Sequence, residues 1–232
     1  MANSVTNQNK PSGLTPVKYL NGADWTGQAN MYFISQASTN AFNVGDLVSP
    51  VAGLDQWSGL QSIDLTLAAS STICVGVVIA IGASPSAVTS LRSGPYIDPT
   101  NLQLISAPAV KVKNYFALVV DDPKVVFEIQ ETGAGTTPAT SLTFAATSKN
   151  ASFVYAAPAA GVAVSGTTLD NGVSSGHTPQ TSSTVTNGYF MRMLGLAQKI
   201  DPQTALYNTF GLNAKWLVKL INHAYEGTVA GF

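Results

Sequence analysis

YFALVVDDPKVVFEIQET, residues 115–132, decides how the rest of the chain is read. Two apolar runs rich in Val, Phe, Tyr and Ile, side chains that suit a pleated surface, meet at Asp121, Asp122 and Pro123. An Asp at the first position of a turn accepts from the turn backbone, and Pro presets the second. Asp122-Pro123-Lys124 therefore predicts a type I turn, and the whole stretch a hairpin corner. Past the turn, strand alternation puts Val125, Phe127, Ile129 and Glu131 on one face and Val126, Glu128 and Gln130 on the other. Glu128 and Glu131 then diverge, whereas a glycosidase pair must converge on one bond across roughly 5 to 10 Å. An acidic pair can hold a hard cation, but beside Pro it reads as turn chemistry. The stretch is expected to be scaffold, with Asp121, Asp122 and Pro123 as structural turn residues.

The same pattern of short β-prone pieces and turns extends outward in both directions. It includes MYFI (31–34), the turn Asn43-Val44-Gly45-Asp46 before LVSPV, TICVGVVIAIG (72–82), AVKV (109–112) and GYFMRMLGLAQKI (188–200). In AKWLVKLINHAY (214–225), Trp216, Val218 and Leu220 alternate with Lys215, Leu217 and Lys219, which favours a strand with a buried Trp face over a helix. Turns every eight to twelve residues or so, without sustained helical periodicity, predict a mainly β body, a barrel or a jelly-roll-like sandwich. Residues 1–13, rich in Asn, Gln, Ser and Thr, predict an extended N-terminal arm. Residues 14–232 form the body, in which the Ala-, Thr- and Ser-rich stretch 133–187 reads as an irregular insertion or subdomain.

Composition removes several function classes. Of 232 residues only 10% are charged, with 11 Lys and Arg against 12 Asp and Glu, where an average domain carries about 25%. Such a chain has no field to draw phosphates or anionic lipid, so neither nucleic acid nor membrane is an expected partner. The single cysteine, Cys74, sits in an apolar run and reads as a small buried hydrophobe. The apolar run 73–81 is too short for a span of about 20 residues. The start shows no basic segment followed by an apolar core, which predicts synthesis in a cytoplasm.

No phosphate-binding glycine loop occurs. His177 and His223 lack a neighbour at ligand spacing. No catalytic residue, metal or cofactor is therefore expected. Trp25, Trp57 and the tyrosines invite a sugar platform, although scattered aromatics in a β protein are usually core or interface.

In order along the chain, PSGLTPVKYLNGADWTGQANMYFI, NVGDLV, YFALVVDDPKVVFEIQET, MRMLGLAQKI and NAKWLVKLINHAYEG resemble the head decoration, or capsid cement, proteins of tailed bacteriophages. The resemblance runs from about Pro11 to Gly227 and is weakest over 133–187, where VSGTTLD is the familiar piece. It implies a β-rich virion structural protein, made in the host bacterium. Such a protein sits on the outer capsid surface, commonly as a homotrimer, and binds the phage major capsid protein to bridge neighbouring subunits. On that expectation Lys10 and Pro11 in the arm, Leu20, Asn21 and Trp25 in the first turn region, and Glu128 and Gln130 facing a trimer partner are candidate contact residues. A tail, baseplate or receptor-binding protein is the nearest alternative, and a carbohydrate-binding β-domain the more distant one.

Overall fold

In the computed structural model the described residues are 7, 12–66, 73–85, 103–104, 106–131, 142, 144–151, 153–154, 168–169, 190–199, 207–211 and 213–226. Their strands run β1 (Thr15–Tyr19), β2 (Asn30–Ile34), β3 (Phe42–Asn43), β4 (Leu47–Leu54), β5 (Gln61–Leu65), β6 (Gly76–Gly82), β7 (Gln103–Leu104), β8 (Ser106–Ala107), β9 (Tyr115–Val120) and β10 (Val125–Gln130). Short β11 (Asn150–Ala151), β12 (Phe153–Val154) and β13 (Thr168–Leu169) follow, then β14 (Met191–Leu196) and β15 (Lys215–Leu220). The molecule is mainly β, with two multi-strand sheets packed together, as the alternation and turn spacing predict.

One sheet orders its strands β1-β10-β15-β14-β11. The other runs β4-β5-β2-β9-β6-β7, and β4 also pairs with β6. That extra ladder, Leu47 opposite Val77 and Val48 opposite Gly76, closes β4, β5, β2, β9 and β6 into a small barrel. Closure removes exposed strand edges, the standing hazard of an open sheet.

The strands β6 and β9 explain why their sequences are almost continuously apolar: both faces are buried. Val78, Ile81, Ala117 and Val119 point into the barrel, where Tyr32, Ile34, Phe42 and Ile63 complete the filling. Val77, Ala80, Leu118 and Val120 point the other way, against Phe127, Ile129, Trp216 and Val218 of the five-stranded sheet. A register shift between Val78 and Ala80 lets β6 keep both sets buried although the parity changes at Ile79. Each large side chain so buried contributes roughly 1.5–3 kcal/mol.

Two expectations need correction. The quoted stretch is not a hairpin: β9 pairs with β2 and β6, whereas β10 pairs with β1 and β15. The turn itself forms, with Val125 N donating to Asp122 O at 3.1 Å and Lys124 N to Asp122 Oδ1 at 2.8 Å. It carries the chain from barrel to sheet, because strands buried on opposite layers cannot also pair with each other. AVKV, expected as a strand, is a loop turned inside out, with Val110 and Val112 85% and 82% exposed and Lys111 buried.

Trp216, Val218 and Leu220 alternate inward along β15, as predicted. The strand β5, with only two apolar residues among Gln61, Ser62 and Asp64, is one that sequence reading passes over. Cys74 is fully buried, its thiol pKa pushed up to about 12 by burial. Among the described residues no helix is long and apolar enough to cross a membrane.

Candidate functional site

The mouth of the barrel at the start of β2 carries a polar cluster built from three distant parts of the chain. Asn30 and Tyr32, two apart on β2, share a face. At that end β2 pairs with the end of β9, Asn30 opposite Val119, so Asp121 arrives beside both side chains. Asn30 Nδ2 donates to Asp121 Oδ1 and Oδ2 at 3.0 and 2.9 Å, and the Tyr32 hydroxyl donates to Oδ2 at 2.6 Å. Tyr225, from the turn after β15, places its hydroxyl 2.8 Å from that of Tyr32. Since the Tyr32 proton is committed to Asp121, the Tyr225 hydroxyl donates and its oxygen keeps accepting capacity. Burial first, then the bond to Asp121, raise the Tyr32 pKa and keep the phenol protonated.

An open recess of about 430 Å³ lies over this network, lined by Asn30, Tyr32, Gly59, Gln61, Asp121 and Tyr225 among others. Beneath it His223 is fully buried, its Nδ1 accepting from Tyr225 N at 3.1 Å. Burial lowers the His223 pKa, against the opposing pull of Glu226, Asp121, the Val75 backbone and Asp122. The backbone around it ties the barrel to the end of β15: Cys74 N donates to Asn222 O and Ala224 N to Cys74 O.

Two loops present apolar side chains outward while an inward side chain fixes each. In the β4–β5 turn, Asp55 is buried and accepts from Ser58 N at 2.9 Å and from the Ser58 hydroxyl, and Trp57 stands 96% exposed with Leu54 60% exposed nearby in the chain. At the opposite end of the barrel, Lys111 Nζ donates to Ser38 O at 2.9 Å and Asn40 O at 2.6 Å and lies over the Phe42 ring at 5.1 Å. Burial lowers the Lys111 pKa, with Asp64 pulling the other way. The buried lysine leaves Val110 and Val112 facing out.

The residues picked from sequence are scattered by comparison. Lys10 and Pro11 lie outside the described residues, as does His177; within the arm, Asn7 exchanges hydrogen bonds with Thr209 and reaches Asn213. Leu20 is 47% exposed, and its backbone N donates to Lys124 O, so the Leu20–Asn21 turn sits beside the Asp122–Pro123 corner. Asn21 Oδ1 accepts from Ala23 N within that turn. Trp25 is half-buried against the core with its indole N–H on Gln28 O. Glu128 is paired with Lys199 at 3.2 Å and Lys215 at 3.9 Å, while Gln130 is buried and donates to Asn213. Glu131 lies buried on the other face, accepting from the Trp216 indole at 3.0 Å, so the two glutamates do diverge.

Asn30, Tyr32 and Tyr225 escaped the sequence reading because the cluster joins positions 89 and 193 apart in the chain. No local motif announces it. Among the described residues no group of three or more His, Cys, Asp and Glu is placed to hold a metal ion. Comparison of the chain with protein-family models, curated proteins and solved structures returns no match.

Proposed function

We propose that this chain is a structural binding protein of a tailed-phage particle, attached to the outside of the head, where it bridges neighbouring capsid subunits. The observation that carries the reading is the pair of pinned loops at opposite ends of the barrel. Trp57 with Leu54 at one end, and Val110 with Val112 at the other, are apolar side chains held in water by buried polar anchors. Holding them there costs solvation that contact with a protein surface returns. Two such contacts on one stiff body suit a bridge across a seam, and repetition over many identical seams reinforces the lattice even when each contact is weak.

The low charge fits contact by shape and apolar burial rather than by electrostatic steering. A homotrimer would multiply the contacts. A tail or baseplate location would use the same loops, and the choice of the head rests on the family resemblance of the sequence.

Co-sedimentation with purified empty heads tests the proposal. The wild-type chain should pellet with heads and stay in solution with detached tails. Trp57→Ser should weaken head binding about tenfold or more, the effect of losing an aromatic anchor, while the melting temperature stays unchanged. Equal pelleting by wild type and by a variant carrying Trp57→Ser, Val110→Ser and Val112→Ser together would contradict it.

A further inference from the structure

We propose that the recess at the barrel mouth is a binding site for a neutral polyhydroxyl ligand, a saccharide of one or two rings. Mouths of β-barrels are preferred ligand sites, and pockets for small ligands start at about 300 Å³; this recess holds about 430 Å³. Its polar groups are fixed before any ligand arrives. Asp121 is held by Asn30 and Tyr32, and the Tyr225 hydroxyl is tethered to Tyr32. Groups ordered in advance lower the entropic cost of binding.

The chemistry of the rim selects the ligand. Asp121 is a carboxylate that only accepts, and the Tyr225 proton is directed at Tyr32, so what the rim has left to offer is accepting capacity and the ligand must bring donors. Sugar hydroxyls do. An ammonium ion also donates and is drawn by the Asp121 charge, which the neutral Asn30 and Tyr32 donors do not cancel, so methylammonium is the competing probe. The exposed Tyr225 ring supplies an apolar face for the C–H side of a pyranose. Gly59, on the turn that carries Trp57, leaves open space where a side chain would stand. The recess adjoins the turn that carries Trp57, but Trp57 is not among its lining residues, and its occupancy in the free chain does not depend on the shell-binding reading.

Saturation-transfer NMR on the full chain provides the test, using methyl α-glucoside, methyl β-galactoside, N-acetylglucosamine and maltose, each taken to tens of millimolar, with methylammonium as the competing donor. At least one saccharide should bind saturably. Asp121→Asn and Tyr225→Phe, which keep size and shape, should each weaken it about tenfold, as expected for loss of a charged or well-placed hydrogen bond. Val112→Ser, at the far end of the barrel, should leave it unchanged. Saturation by methylammonium and by no saccharide, silence from every probe, or saccharide binding that both site variants leave intact would each overturn the proposal.

Discussion

At Asp122 one side-chain oxygen holds the turn that moves the chain between layers, accepting from Lys124 N at 2.8 Å. Asp122→Ala should lower stability by about 0.5–2 kcal/mol, by analogy with a lost helix cap, and Asp122→Asn should recover most of it in urea unfolding. Gly76 is constrained by a neighbour rather than by a turn. A Cβ there would lie 2.1 Å from the carbonyl oxygen of Val120, an atom fixed in the barrel ladder. Gly76→Ala should therefore cost about 1–3 kcal/mol or more, visible as a lower urea midpoint. His223 makes stability depend on pH. Burial lowers its folded-state pKa, so above the unfolded value of about 6.5 the ring is neutral in both states and costs nothing. As pH falls below that value the unfolded chain takes a proton that the folded one excludes, and stability declines until the folded-state pKa is passed. Melting temperature should drop on acidification through this window, and His223→Gln should show a shallower drop.

Strands buried on both faces explain what could and could not be read from the sequence. Uninterrupted runs such as 73–81 and 115–120 declare a buried strand, and the alternation of Trp216, Val218 and Leu220 declares a strand with one buried face. Neither pattern says which strand lies alongside, because a two-faced strand can serve either layer. The turn at Asp122 was correctly legible from its Asp-Pro chemistry, yet the same turn closes a hairpin or crosses between layers. AVKV misled for a related reason: its valines have strand propensity, but Lys111 finds two carbonyls and an aromatic ring inside, and that tertiary environment overrides the local preference. Replacing Lys111 by Met should leave the Ser38 and Asn40 carbonyls short of a donor and cost about 1–3 kcal/mol. Faster amide hydrogen exchange at Val110 and Val112 would report the loosened loop, and unchanged exchange there would show that the lysine does not anchor it. The candidate site was the least legible part, since Asp121 was visible only as a turn residue until β2 and the turn after β15 came beside it.

Taken as one body, the chain joins a closed barrel to a five-stranded sheet through a shared apolar layer, and its exposed apolar loops project from opposite ends of the barrel. That layout fits the proposed clamp: the packed core makes the body stiff, and apolar side chains stand exposed at both ends of the barrel. Stiffness matters because a bridge resists separation of its anchor points only if it does not itself deform. The account predicts that cryo-electron microscopy of intact particles carrying this chain will place its density on the outer face of the head, across junctions between capsid subunits, with the Trp57 turn and the Val110–Val112 loop against different neighbours. Density confined to the tail or baseplate, or heads that lack the chain altogether, would contradict it.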